Sequence, residues 1–359
     1  MKICFFAAAN SLHSHRWVNY FVDKGHDISW ISLSETNETL KKVEFYDIGP
    51  LSTKPLTFIR QIIRFRKLIK QIKPDLLHIH SVGTYGIIGV LSGFTNIVAT
   101  AWGSDVLFAS QFFIKRQLIK YTLKKAKLIT CDADHMIVAM TKLGIGHEKI
   151  KLIYFGIEPE KFNPGPKDSN IQEQWNSKNS AVIISLRNLE SIYDIETLIK
   201  SVPAVLKKIQ KIKVIIAGTG PQEDYLKKVS AKLGLERYIK FIGRYSHQDL
   251  PRILRSSDIY VSTSLSDAGI AASTAEAMAI GLPVIITDSG ENRKWVSNEI
   301  NGLIFPVKDS ALLAEKIIDL CLNNEKREKI GREGQKNIRL KNNYYIEMEK
   351  MMNLYESLG

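Results

Sequence analysis

The feature that most constrains the fold is an alternation of short apolar runs and amphipathic stretches that occurs twice along 359 residues. In the first series Lys2–Ala8 reads as a strand, Arg16–Lys24 as a helix ending at Gly25, and Asp27–Leu33 as a strand. Thr57–Lys73 reads as a long amphipathic helix stopped before Pro74. Asp75–Ser81 is a strand, Tyr85–Gly93 a helix of small residues, and Ile97–Ala101 a strand leading into Trp102-Gly103-Ser104-Asp105. Phe112–Lys125 (helix) and Leu128–Asp132 (strand) follow. The polar stretch from Asn163-Pro164-Gly165-Pro166 to Ser180 has the composition of a linker. The pattern then restarts. Strands are expected at Ala181–Leu186, Lys213–Ala217, Ile239–Ile242, Ile259–Thr263 and Val284–Thr287. Helices are expected at Ile195–Lys208, Glu223–Leu233, Leu250–Arg255 and Thr274–Ile280. Strands alternating with helices imply parallel βαβ units. The chain therefore reads as α/β, with two doubly wound domains and ligands beyond the C-terminal strand ends. Residues 1–166 form the first domain and 167–338 the second, Lys326–Leu358 reads as charged and helical, and 339–359 is assigned to a C-terminal helix.

Length and composition agree with that division. Two domains of roughly 150–200 residues fit the chain, and 45% hydrophobic residues suffice for two cores. No apolar run approaches the roughly 18 residues of a spanning helix. The opening MKICFFAAANSLHSHRW begins like a secretory signal, but Asn10, Ser11, His13, His15 and Arg16 cut it short. Cys4, Cys131 and Cys321 form neither a disulfide framework nor a metal spacing, so a reducing cytosol is expected.

The chemistry concentrates in Ser264–Val284. A strand end passes through small residues into a helix carrying Glu276, then turns at Gly281 and Pro283. Small residues expose the backbone, and a helix amino end offers free N–H groups to a diphosphate. Ser273 and Thr274 add hydroxyls, and Glu276 can accept hydrogen bonds from a ribose diol. A plain helix cap with a solvated Glu is the competing reading.

This segment resembles the donor-binding signature of retaining, nucleotide-sugar-dependent glycosyltransferases of family four, which have the GT-B fold of two Rossmann-like domains facing a cleft. The family pattern, roughly Glu-Gly-Phe-Gly-x₄-Glu-Ala-Met-Ala-x-Gly-x-Pro-Val, places its second Glu on Glu276. Ala277-Met278-Ala279, Gly281 and Pro283-Val284 match in register. Its first Glu falls on Ala268. The resemblance implies that Asp267 substitutes there or that backbone groups, Gly269 included, hold the sugar. Gly218-Thr219-Gly220-Pro221 resembles the family's Gly-x-Gly-Pro turn. Phe241-Ile242-Gly243-Arg244 with Tyr245 resembles the nucleobase loop. The family's phosphate-binding Arg and Lys fall on Arg187 and Tyr193. Arg187, the helix end and Arg244 are then left to neutralise the diphosphate.

The first domain is expected to hold the acceptor. His78 and His80 share a strand side by period two. His80, nearer the strand end, is the cleft candidate and His78 the structural one. Trp102-Gly103-Ser104-Asp105 resembles the family's His-Gly-x-Asp turn with Trp in place of the His. Asp105 remains as an acceptor-binding group or proton acceptor. Ser11, His13, His15 and Arg16 are assigned to a loop at the diphosphate or acceptor. Asp132-Ala133-Asp134 reads as a strand-to-helix cap, and no metal is expected. No cofactor is expected beyond the donor substrate.

The net charge of +13 is uneven. Residues 1–166 hold 22 Lys and Arg against 13 Asp and Glu. The excess sits on Phe58–Lys73 and Phe112–Lys127, where apolar residues are interleaved. That pattern suits an anionic membrane surface, though solvated faces of core helices would look the same. No nucleic-acid module is present. The resemblance implies transfer of a sugar to a carbohydrate or lipid-linked acceptor, in synthesis of cell-surface polysaccharide, lipopolysaccharide or glycolipid. A cytoplasmic enzyme, peripheral on the inner membrane face, fits. A nucleotide-sugar 2-epimerase and a non-catalytic sugar-nucleotide or lipid-binding module are the rivals. A dehydrogenase is disfavoured, because no Gly-x-Gly-x-x-Gly follows the first strand.

Overall fold

Apolar runs buried on both faces are the signature of parallel strands covered by helices, and two such sheets form here. The computed structural model describes residues 1–36, 42–52, 54–107, 111–267 and 269–358. The chain divides into two units, Met1–Phe155 with Tyr345–Gly359, and Gly156–Tyr344.

The first unit holds β1 (Lys2–Phe6), β2 (Asp27–Ser32), β3 (Val43–Asp47), β4 (Leu76–His80), β5 (Ile97–Thr100), β6 (Leu128–Cys131) and β7 (Ile150–Leu152). Their order is β3-β2-β1-β4-β5-β6-β7, with every pairing parallel. The chain winds outward in both directions from the β1/β4 boundary, which is the switch point of this sheet. β1 is therefore a central strand, and Ile3 to Ala7 are fully buried. The last helix, Tyr344–Glu356, gives this unit Met348, Met351 and Tyr355, all fully buried. Each such side chain contributes about 1.5–3 kcal/mol by leaving water. The Tyr355 hydroxyl contacts Nδ1 of His78 closely, and Tyr154 N–H donates to Glu347 at 2.9 Å.

The second unit holds β8 (Ala181–Ser185), β9 (Ile212–Ala217), β10 (Ile239–Gly243), β11 (Ile259–Ser262), β12 (Val284–Thr287) and β13 (Leu303–Phe305), in the order β10-β9-β8-β11-β12-β13, again all parallel. Its switch point lies between β8 and β11. The helix Asn324–Lys341 packs on this unit so closely that a Cβ on Gly331 would stand 2.1 Å from the Gly281 carbonyl oxygen.

Several expectations need correction. The first helix begins at Leu12, so His13, His15 and Arg16 are helical and not in a loop, with Ser11 at the cap. Its buried face uses Ser14 and His15 beside Trp17, Val18 and Phe21, which hid the periodicity. The segment read as a linker contains a helix, Ser169–Gln174, whose cap Asp168 accepts from the N–H groups of Asn170 and Ile171. β3, β7 and β13 were not anticipated, whereas the strand-to-helix cap expected at Asp132-Ala133-Asp134 does open a helix, Asp134–Lys142. β3 is an edge strand, only partly buried, with the weakly apolar sequence Val-Glu-Phe-Tyr-Asp.

Candidate active site

In the second unit, the loops that leave β8 and β11 meet at the switch point. Arg187 stands two residues beyond β8 and Asp267 five beyond β11. The Arg187 guanidinium donates to Asp267 Oδ1 at 2.6 Å, with side chains only 11% and 6% exposed. Arg187 is therefore no surface residue. Its guanidinium carbon lies 4.3 Å from the ring centroid of Tyr193, so the residue at the family's Lys position serves as an aromatic platform. Arg187 Nε is buried without a hydrogen-bond partner among the described residues. A buried guanidinium with an open N–H edge is suited to an incoming anion.

Backbone packing fixes both loops. Gly218 has φ +143°, and a Cβ there would stand 2.6 Å from the Arg187 carbonyl oxygen. A Cβ on Gly220 would stand 2.4 Å from that of Leu189. These two glycines thus seat the turn after β9 against the Arg187 loop, where Leu189 N–H donates to Thr219 O at 3.1 Å. The loop after β11 is held by Leu265 N–H to Ile192 O at 2.8 Å and by Thr263 Oγ1 to Tyr193 O at 2.8 Å. Ala268 lies outside the described residues. Gly269 beyond it is buried.

The helix Ala272–Ile280 follows, with no side chain capping its amino end. Ser273 and Thr274 both bond the buried Tyr260 hydroxyl, at 2.8 and 3.3 Å. Glu276 is 8% exposed, and its Oε1 lies 3.4 Å from His247 Nε2. The other ring nitrogen of His247 meets Lys161 Nζ. Neither His247 nor Lys161 was anticipated: they lie in polar loops 86 positions apart, with no local signal. Arg244 is exposed and donates to Thr219 Oγ1 at 3.2 Å. Tyr245 is partly buried, and burial, then the Glu276 charge, push its phenol pKa up. A pocket of about 620 Å³ runs beside Arg244 and Tyr245, lined also by Trp175, Lys240 and Asp249.

In the first unit, the candidate residues gather at the β1/β4 switch point. His80 ends β4, is 3% exposed, and packs edge-on to Trp17 and Trp102. Neither of its ring nitrogens has a partner among the described residues. Burial, then the charge of His13, lower its pKa to about 3, so the ring is neutral at neutral pH. His13 stacks on Trp102 at 5.4 Å. His78 is fully buried between Tyr355 and Thr100, as a structural residue should be. His15 bonds Ala9 O at 2.7 Å and packs edge-on to Trp30, which ties it to the β1 loop. Arg16 is partly buried one residue on. Both Asp105 oxygens accept backbone N–H groups, from Val82 at 2.9 Å and Trp102 at 3.0 Å. Its carboxylate thus pins two loops, and burial raises its pKa. Among the described residues no group of three His, Cys, Asp or Glu side chains is placed to hold a metal ion.

Comparison with known proteins shows the family. Residues 167–337 match the family described as Glycosyl transferases group 1, and residues 2–133 match Glycosyl transferase 4-like. Together the two matches span most of the chain, one in each unit. The chain belongs to the family-four glycosyltransferases. This glycosyltransferase is 26% identical over 305 residues to the putative glycosyltransferase EpsD of Bacillus subtilis, covering 80% of this chain and 77% of that one. It is also 26% identical over 269 residues to an Escherichia coli UDP-Gal:alpha-D-GlcNAc-diphosphoundecaprenol alpha-1,3-galactosyltransferase, covering 70% and 67%. Among solved structures, Anabaena HepE in complex with UDP superposes with a TM-score of 0.84 at 19% identity, over 99% of this chain and 100% of that one. That likeness shows that the glycosyltransferase has the GT-B fold.

Proposed function

We propose that this glycosyltransferase moves a glycosyl group from a nucleoside diphosphate sugar to an acceptor hydroxyl with retention of anomeric configuration. The acceptor would be a carbohydrate or a lipid-linked glycan in cell-surface polysaccharide, lipopolysaccharide or glycolipid synthesis. The observation that carries the donor reading is the buried Arg187 at the β8/β11 switch point, with an unpartnered N–H edge and an uncapped helix amino end nearby. A diphosphate satisfies both. Glu276, one turn into that helix, is then placed for the ribose diol. Solved structures of the same fold carry UDP and UDP-glucose, and one relative's name specifies a diphosphoundecaprenol-linked acceptor.

In this reading the bond from the anomeric carbon to the diphosphate breaks as Arg187 and the helix dipole stabilise the departing charge. The acceptor oxygen bonds the same face of the sugar and gives its proton to a diphosphate oxygen. Retention rests on the family resemblance. The reaction needs no metal and no separate cofactor. The enzyme works in the cytoplasm, peripheral on the inner membrane face, and nucleic acid is not a partner.

The test begins with a panel of nucleotide sugars scored by thermal shift. Product analysis with the stabilising donor and candidate acceptors follows. Expected is a glycosylated acceptor with the donor's anomeric configuration, and loss of turnover by at least about 100-fold in Glu276→Ala, from two charge-assisted hydrogen bonds. Donor consumed without acceptor to give an epimer, or full activity in Glu276→Ala, overturns the reading.

A further inference from the structure

The first unit contains a hollow of about 390 Å³ walled by Phe58, Val82, Ile87 and Leu118, with Asp105 and Lys115 as its charged groups. That volume lies within the roughly 300–1,000 Å³ of ordinary ligand sites. Three helices border it, because Thr84–Leu91 packs against both Pro55–Ile72 and Phe113–Lys125. On Phe113–Lys125 the lining continues outward through exposed Leu118 and, one turn before it, exposed Ile114. Leu56, Ile59 and Ile63 recur at helical spacing on a solvent face of Pro55–Ile72, and Phe112 and Phe113 are exposed at the start of the other helix, Phe113 by 76%.

Charge identifies the occupant. Neither outer helix contains an Asp or Glu. Exposed Arg60, Arg64 and Lys67 line one, and exposed Lys115, Arg116 and Lys124 the other. A second copy of this chain would bring the same uncompensated positive charge to the contact, so self-association on this face is opposed. An anionic head on a hydrocarbon chain satisfies both the apolar hollow with Lys115 and the acid-free helices that flank it. Lys115 joins the two parts: it lines the hollow, and its ammonium lies 5.0 Å over the Phe112 ring. The Asp105 carboxylate is occupied by two backbone N–H groups, so it does not compete as an open anion.

We infer that this hollow seats the hydrocarbon chain of a phosphate-bearing lipid, with Lys115 at the phosphate and the flanking basic helices on the lipid surface. The inference deepens the lipid-linked acceptor reading. It assigns the acceptor a chain-binding subsite separate from the Arg187–Glu276 machinery.

The test uses the full chain and farnesyl phosphate as the probe, by calorimetry below its micelle concentration, with no donor present. Saturable binding is expected. Leu118→Glu, at a position 44% exposed, and Lys115→Glu, also exposed, are each expected to weaken it at least about tenfold while the melting temperature holds. Lys115→Glu should leave binding of farnesol, which lacks the phosphate, nearly unchanged. Glu276→Ala should bind the probe as the wild type does, so loss of transfer and loss of lipid binding are separately visible. No saturable binding, wild-type affinity in both charge variants, or equal affinity for inorganic phosphate alone overturns the inference. So does an oligomer that Leu118→Glu dissociates, since the face would then join two copies.

Discussion

Replacing Asp267 with Ala isolates what the Arg187 ion pair does before donor arrives. The two groups meet at 2.6 Å with side chains 11% and 6% exposed, so removing the carboxylate leaves a nearly buried guanidinium without its counter-charge. Breaking a buried pair in this way costs about 3–5 kcal/mol. Tyr193 remains under the guanidinium at 4.3 Å and retains about 1–2 kcal/mol of cation–π attraction, so the lower end applies. For a unit of this size, about 3 kcal/mol lowers the melting temperature by roughly 6–12 °C. A nucleoside diphosphate supplies the missing negative charge. At about 100 times its dissociation constant it restores about 2.7 kcal/mol. Differential scanning fluorimetry of wild type and Asp267→Ala with increasing UDP or GDP measures both effects. The variant should start lower and gain more, with diphosphate affinity equal to or above that of the wild type, because no carboxylate competes for Arg187. Transfer should be slower if Asp267 also holds the sugar. An unchanged melting temperature, or diphosphate binding at least about tenfold weaker in a folded variant, would refute this reasoning.

Gly290 has φ +52°, and a Cβ there would stand 1.7 Å from the Asp267 carbonyl oxygen. Gly290→Ala should therefore destabilise by at least about 2 kcal/mol and weaken donor binding; a wild-type urea midpoint would contradict that. His80 takes up a proton only near pH 3 when folded, against an ordinary value of 6.5. Between those values the unfolded chain binds more protons, so stability is full above about pH 6.5 and falls on acidification, at up to about 1.4 kcal/mol per pH unit. His80→Phe should flatten that fall, measured as denaturant midpoints against pH with His78 retained. An identical pH profile in the variant would remove His80 as its source.

The second-unit half of the candidate site was legible in part. Glu276 lies one turn into a helix introduced by small residues, a pattern that local chemistry left open against a plain cap, and the family resemblance singled out both it and Arg187 after a strand end. The pairing of Arg187 with Asp267 spans 80 positions and leaves no local trace. Tyr193 was legible as a missing Lys but not as an aromatic platform, because stacking depends on how two loops meet. The start of the first helix was misread for a related reason: a buried helical face can use Ser and His when a β1-loop carbonyl accepts the imidazole, as Ala9 O does for His15. Periodicity also found the central strands and the β10 edge but lost the other three edges, and β3 for one buries too little to require an apolar sequence.

The second unit is an insertion within the first. The chain leaves one core at Phe155 and re-enters it at Tyr345. Met348, Met351 and Tyr355, which fill the interior beside His78, are therefore synthesised only after the whole second unit. A nascent first sheet waits on the ribosome with that interior open, while the inserted unit already has all its own strands. Vectorial synthesis, which usually completes the amino-terminal domain first, here completes it after the inserted unit.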